Sequence, residues 1–450
     1  MELLLQVAFP DLEVFRIGEM DNLKVIWHNE LRSDSFDNLC NVHVKGCPGL
    51  RSLFPASIAQ NLPQLEELLI VNCGVEEIVA KDEGLEEGPE FLFPKVTDLH
   101  LVKLPELKRF YPGIHTSEWP RLKKLRVRDC EKIEIFPSEI KCSHEPCRKD
   151  HMDIEGQQPL LSFRKIIPNL EHLLLESKDA SALLKCPQYF FHKLKALDLY
   201  CFGDAHATFL FDLLPRFPNM ETLNVERGTF KELLPSRLVG MEEHATLLSP
   251  IRHLFLLFLP CLEHLWKSNS QLDQALQTLE TLLVLNCGSL IYLAPSRASF
   301  QNLTTLYVWD CERLVKLVTS TTAKSLAQLT TMSIKDCGKV TEIVANEGEG
   351  IKDEIVVFSK LEILELHRLP SLTSFCSEKH SFYFPSLVEV TVRQCPGMKF
   401  FSNGAPSTPK LRRVNFNDVE KKGFRGRNLN TTIQQLSPQT KAPIAESSSS

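Results

Sequence analysis

The sequence predicts an α/β leucine-rich-repeat solenoid, a curved horseshoe of about fifteen repeats with a parallel sheet on its concave face. Three observations predict it. A phrase Leu-x-x-Leu-x-Leu-x-x-Cys recurs, as in Leu122-x-x-Leu125-x-Val127-x-x-Cys130 and Leu303-x-x-Leu306-x-Val308-x-x-Cys311. Its first residues run from Leu12 to Leu411 at a mean spacing of about 28 residues, inside the range of such repeats. Most copies are introduced by an aromatic residue and proline: Phe9-Pro10, Phe93-Pro94, Trp119-Pro120, Phe217-Pro218 and Phe384-Pro385.

Taken in order, the anchors are Leu12, Leu39, Leu65, Val96, Leu122, Leu170, Leu194, Met220, Ile251, Leu279, Leu303, Leu329, Leu361, Leu387 and Leu411. Alternation within each phrase predicts a short strand whose apolar side chains face inward. A second apolar pair follows the strand, as in Leu50 with Leu53, Leu290 with Leu293 and Leu314 with Leu317, and carries the core under the outer side. A single repeat cannot bury its apolar face alone, so neighbours must stack. The repeats divide into residues 1–137 and 167–422, separated by an insertion at 138–166. From residue 423 to 450 the pattern is lost; a cap and a Pro/Ser-rich, disordered tail are expected there.

The ninth residue of the phrase is Cys in seven copies, Cys47, Cys73, Cys130, Cys287, Cys311, Cys337 and Cys395, and Leu followed by Pro at Leu104, Leu259 and Leu369. A small buried hydrophobe with a weak S–H donor fits the inside of the turn that ends each strand. One cysteine per rung makes a ladder and lacks the C-x-x-C pairing of metal sites, so these thiols are expected to be structural and inert. A longer period is also present. The block from Phe36 to Phe136 reappears from Phe300 to Phe401, with Cys47 matching Cys311 at a shift of 264 and Cys130 matching Cys395 at 265. The acidic stretch from Lys81 to Glu90 has its counterpart from Asn346 to Glu354.

Composition narrows the function. A chain of 450 residues with formal net charge −6 makes no global case for nucleic acid. The amino-terminal stretch lacks the basic region of a signal peptide, and no run approaches the length of a membrane helix. With no paired cysteine caps, a reducing, cytoplasmic setting is expected. The triplets at Asn302 and Asn430 match the glycosylation sequon only as chance matches do. No nucleophile elbow, His-Glu-x-x-His or Gly-rich phosphate cradle occurs, so no catalytic residue, cofactor or resident metal is expected. Within the insertion, Cys142, His144, Cys147 and His151 are close enough to hold zinc, at a spacing tighter than a finger uses.

Positions three, five, seven and eight of each phrase should point away from the core, onto the concave face. Read down the stack, the fifth repeat presents Lys124, Arg126 and Arg128, with His43, Lys45, His100 and Lys103 nearby. This basic stripe suggests an acidic partner, or simply a solvated charged face. The ninth to eleventh repeats instead present Phe255, Leu257 and Phe258, then Leu283 and Leu285, then Tyr307 and Trp309. Contiguous exposed apolar side chains mark interfaces, and Tyr and Trp are enriched in binding hot spots. That patch is the expected partner-binding surface.

In combination, these phrases, the EEIVAKDEG and TEIVANEGEG loops and the ending Thr408-Pro409-Lys410-Leu411 before GFRGRNLNTTIQQL resemble the leucine-rich-repeat region of plant coiled-coil nucleotide-binding disease-resistance proteins. The resemblance implies a non-catalytic module of plant defence. Such a module binds a pathogen effector or a guarded host protein, and holds a nucleotide switch inactive. A substrate adaptor of a ubiquitin ligase is the alternative, and an enzyme a third reading. The switch's phosphate loop, G-x-x-x-x-G-K-[ST], is absent; Gly348-Glu349-Gly350 is part of an acidic loop, and His151-Met152-Asp153 is not the switch's Met-His-Asp motif. Nucleotide binding is therefore not expected. A titration of the chain with labelled ATP should show no saturable binding in the micromolar range, and saturation there overturns this reading.

Overall fold

The computed structural model describes residues 9–27, 36–82, 88–136, 160, 167–185, 191–203, 209–234, 251–266, 277–295, 298–345, 355–378, 380–404, 406–416, 419–422 and 429–436. The chain forms two compact units, Met1–Tyr200 with Pro215–Met220 and Cys201–Leu214 with Glu221–Ser450.

Each repeat contributes one short strand to a parallel sheet. In the first unit the strands are Val14–Gly18, Asn41–Lys45, Glu67–Val71, Asp98–Val102, Lys124–Arg128, His172–Glu176 and Ala196–Tyr200, neighbours in chain order. In the second they are Thr222–Glu226, His253–Leu257, Thr281–Leu285, Thr305–Trp309, Thr331–Lys335, Ile363–His367, Glu389–Arg393 and Arg413–Phe416, followed by an antiparallel Val419–Lys422. Every one of the phrases read from the sequence lies on one of these strands. Pairing keeps like positions together: Leu254, Leu282, Leu306, Met332, Leu364, Val390 and Val414 face one another in register and are all buried. A slip of one residue would turn this whole row outward, so burial enforces the register.

The strand ends on a left-handed residue at position eight. Asn72, Asn286, Asp310 and Asp336 have φ of 54°, 53°, 54° and 57°, and Gly46 occupies the same place at 64°. Asn, Asp and Gly tolerate this conformation best. The bend aims the residue's N–H along the stack, where it donates to the position-seven carbonyl of the next rung: Asn72 N to Val102 O at 2.9 Å, Asn286 N to Trp309 O at 2.9 Å, Asp310 N to Lys335 O at 3.0 Å. The chain then turns inward and buries the ninth side chain. All seven ladder cysteines are buried. Their thiols donate to the carbonyl two residues back, as Cys130 does to Arg128 O at 3.3 Å, and several also reach the preceding rung, as Cys130 does to Leu101 O at 3.5 Å. Burial pushes the Cys130 and Cys287 thiols up to about 12 and those of Cys73 and Cys395 to about 11. For Cys311 the hydrogen bond to Cys337, and then burial, act in the same direction.

The outer side is built from short pieces. Among the described residues five two-stranded parallel sheets form there, such as Ser52–Pro55 with Glu77–Ala80 and Lys316–Thr319 with Glu342–Ala345, alongside helices such as Ser320–Ser325. Under them the lead-in aromatics stack from repeat to repeat, Phe93 on Trp119 at 4.3 Å between centroids and Phe358 on Phe384 at 5.3 Å. Most of the insertion, including Cys142, His144, Cys147 and His151, lies outside the described residues, as does the tail after 436. The segment after the last repeat contains a helix, Leu429–Leu436. Its Asn430 carboxamide accepts from Phe401 N at 2.8 Å and Ser402 N at 3.0 Å and donates to Ser402 O at 2.7 Å.

The sixth repeat departs from the rule. Its strand pairs with the fifth over three residues only, His172 with Lys124 to Leu174 with Arg126, and its phrase carries Lys178 where others carry Cys. Side chains take over the missing backbone bonds. The Glu176 carboxylate accepts from Asp129 N, Lys178 donates to the carbonyls of Cys130 and Ile133, and Asp179 accepts from Ile135 N at 3.4 Å. Asp179 is buried, and burial lifts its carboxyl to about 6 from an ordinary 3.8.

Two outcomes follow from this packing. Cysteine-specific alkylation of the native chain should modify the exposed Cys201 and Cys261 quickly and the seven ladder thiols only on unfolding, while Cys311→Asp should cost a few kcal/mol (about 2–5) by burying a charge. Rapid labelling of all seven overturns the assignment. Asp179 binds its proton more tightly folded than unfolded, so its contribution favours folding below about pH 4 and is lost as pH rises through about 6. Asp179→Asn keeps an acceptor for Ile135 N without the charge. It should raise the melting temperature at pH 7, and a lower value there contradicts the buried-acid account.

Candidate recognition surface

Positions three, five and seven of each strand lie opposite the core, so consecutive rungs build rows of side chains about 4.8 Å apart. In the second unit row five runs Asn224, Phe255, Leu283, Tyr307, Ser333, Glu365, and row seven runs Glu226, Leu257, Leu285, Trp309, Lys335, His367, Arg393, each residue in register with the next. Phe255, Leu257, Leu283, Leu285, Tyr307 and Trp309 therefore form a platform three rungs wide, each side chain half-buried by its neighbours. The Tyr307 and Trp309 rings lie 6.0 Å apart. Phe258 flanks the platform at position eight, 42% exposed. Row three edges it with hydroxyls, Thr281, Thr305 and Thr331.

Two local costs gather here. Phe258 holds a left-handed backbone, φ 54°, that a bulky side chain rarely adopts. The indole Nε1 of Trp309 is buried without a hydrogen-bond acceptor. On one flank the Lys335 ammonium stands 5.0 Å from the centre of the Trp309 ring and 2.9 Å from Glu365. Burial would raise the Glu365 carboxyl, but hydrogen bonds from Lys335 and Ser333 outweigh it and hold it below the ordinary range. Beyond them Arg368 pairs with Asp336 and holds that carboxyl down.

The basic stripe of the first unit is real in register and largely neutralised in charge. Lys124 meets Asp98 at 2.8 Å, and Arg126 lies 3.5 Å from the His172 ring and 3.8 Å from Asp198. Arg128 lies over the Tyr200 ring at 4.1 Å and within 3.5 Å of Asp129. His172 meets Asp198 at 2.8 Å, and His43 meets Glu67 at 2.9 Å. Burial, then Arg126, lowers the pKa of His100. Lys124, Arg126 and Arg128 thus belong to an ion-pair network within the sheet face. The sequence reading missed that network, and it missed Lys335, His367 and Arg393 beside the platform. Setting the phrases in register would have revealed both.

Among the described residues no group of His, Cys, Asp and Glu is arranged to hold a metal, and no helix is long and apolar enough to cross a membrane.

A family model described as plant disease resistance protein RPS2-like, leucine-rich repeats, matches residues 2–74, 169–299 and 294–403. Disease resistance protein RPS5 of Arabidopsis thaliana is 34% identical over 108 residues, which is 24% of this chain and 12% of that protein, so the chain matches only a small part of this relative. Among solved structures, the crystal structure of a TLR13–ssRNA13 complex overlaps 92% of this chain and 62% of its own at 14% identity, with a TM-score of 0.37. Since the family model covers more than half of the residues, the chain belongs to the RPS2-like leucine-rich-repeat family of plant disease resistance proteins.

Proposed function

We propose that the chain is a non-catalytic recognition module of plant defence, and that the platform around Trp309 is where its protein partner docks. The partner is a pathogen effector, a guarded host protein or a nucleotide-binding switch domain. The observation that carries this reading is the platform itself: six apolar side chains on three adjacent rungs, on the face of a sheet whose neighbouring positions are polar. Contiguous apolar surface of this kind in a soluble protein marks an interface. The orphan indole N–H of Trp309 supports it, because such costs concentrate at functional sites. Membership in a disease-resistance family supplies the biological setting. A cytoplasmic location is part of the proposal, in keeping with described cysteines that are all free thiols.

Replacing Phe255 and Trp309 together by Ala removes two anchors that face away from the core. The circular dichroism spectrum should stay that of the parent, and binding to a separately supplied nucleotide-switch domain or cognate protein should fall by at least tenfold, about 1.4 kcal/mol or more. Binding equal to that of the parent rules the platform out.

A further inference from the structure

Among the described residues the first strand, Val14–Gly18, is outermost in its sheet, paired with Asn41–Lys45 on one side and with no strand on the other. Later rungs show what that open side offers. There Asp98 N donates to Glu66 O of the rung before at 3.2 Å, and Val102 O accepts from Asn72 N at 2.9 Å. Val14 N and Gly18 O hold the same two places in the first rung, and among the described residues neither makes such a bond. Side-chain burial agrees. The inward residues Val42 and Val44 of the second rung are fully buried, whereas Phe15 and Ile17 are only half-buried. Val14, on the concave side, is 44% exposed. In the second unit the last parallel strand is closed by the antiparallel Val419–Lys422, and its Phe416 is buried. An edge strand with open backbone groups and half-covered apolar side chains is a template for another strand.

Charge selects what the template accepts. Arg16 stands at the centre of the strand, exposed on the concave side, and Lys45 is exposed on the next rung. Among the described residues neither has an ion-pair partner, and the acid two rungs along, Glu67, is held by His43 at 2.9 Å and Asn41 at 3.0 Å. Glu13 and Glu19, both exposed, flank the strand. A second copy paired antiparallel over the whole strand would set Arg16 against Arg16 and Glu13 against Glu19, and like charges directly opposite are destabilising. We infer that this edge takes an extended segment of a partner protein, with an acidic residue opposite Arg16 and an apolar residue on either side of it. Side chains alternate along an added strand, so the apolar pair continues the inward rows over Phe15 and Ile17 while the acid lies beside Arg16. Neighbours across the pair stand about 5 Å apart, within reach of an ion pair. The edge belongs to the first unit and does not rest on the platform reading.

Fluorescein-labelled peptides test it on the full chain by fluorescence polarisation. They carry Val-X-Val between Thr, Ser and Gly spacers, with Asp, Asn or Lys at X. The Asp peptide should bind about fivefold more tightly than the Lys peptide at low salt, and Arg16→Glu should reverse that order. Methylating alternate backbone nitrogens of the Asp peptide should abolish binding, because it removes the N–H groups that pair with the edge. Val14→Pro removes the N–H on the open side at the first strand position, where proline is tolerated. It should weaken all three peptides while the circular dichroism spectrum stays that of the parent; if this variant does not fold, the methylated peptide reports on the same bonds. The chain with Phe255→Ala and Trp309→Ala should bind the peptides as the parent does. Equal binding of the Asp and Lys peptides, a preference that survives Arg16→Glu, undiminished binding of the methylated peptide, loss of binding with the platform substitutions, or no binding by any peptide overturns the inference. A dimer in sedimentation that Val14→Pro dissociates also overturns it, by giving the edge to a second copy.

Discussion

The structure depends on one bend, the left-handed residue at position eight of every described repeat but the sixth. It takes the chain off the sheet while its N–H still reaches the carbonyl of the next rung, as Lys103 N reaches Arg128 O at 2.8 Å and Phe258 N reaches Leu285 O at 2.8 Å. That bond joins neighbouring repeats one residue beyond the strand, so the bend also sets the register of everything before it. The same bend delivers the ninth side chain inward, under the carbonyl of its own strand. A thiol suits that place because it is small, apolar and able to donate weakly to the position-seven carbonyl, which also accepts the position-eight N–H of the preceding rung. Where Leu fills it, as at Leu104, Leu259 and Leu369, Pro follows at once and helps hold the turn.

The sixth repeat shows what the bend is worth by lacking it. A 3-10 turn, Ser177–Asp179, replaces the left-handed residue, and the pairing with the fifth strand stops at Leu174 while that with the seventh runs on to Glu176. Glu176, Lys178 and Asp179 then satisfy with charged groups what neutral backbone satisfies elsewhere. Charged groups can replace neutral bonds in a buried setting only at a desolvation cost, which is visible in the raised carboxyl of Asp179. The irregular rung follows residues 138–166, which lie between the repeat phrases in the sequence.

The core was legible in the sequence because its signal is local. Each phrase states its own strand, its own turn and its own buried ninth residue within nine positions, and Cys47, Cys311 and Cys395 lie where the phrase puts them. The apolar platform was legible for the same reason, since Phe255, Tyr307 and Trp309 are conspicuous at outward positions. Charge was not legible in this way. Lys124, Arg126 and Arg128 read as a stripe along one strand, but the groups that answer them come from other rungs: His172 is 46 residues from Arg126, and Tyr200 is 72 from Arg128. A pattern read along one strand cannot contain interactions that run across strands.

The duplicated block separates scaffold from surface within one chain. Repeats two to five correspond to repeats eleven to fourteen, and the buried set keeps its character: Val42 and Val44 against Leu306 and Val308, Cys73 against Cys337, Leu104 against Leu369, Cys130 against Cys395. Position eight stays tolerant of the bend, with Gly46 against Asp310 and Asn72 against Asp336. The outward positions share almost nothing. Asn41, His43 and Lys45 stand against Thr305, Tyr307 and Trp309, and Lys124, Arg126 and Arg128 against Glu389, Thr391 and Arg393. One copy of the scaffold carries an ion-pair network and the other part of an aromatic platform with Lys335 beside the Trp309 ring. Burial constrains the inward rows and the turn, and it leaves rows three, five and seven to vary without loss of register. A stack of this kind can therefore acquire a new contact surface by substitution on single rungs, which is the property a recognition module needs.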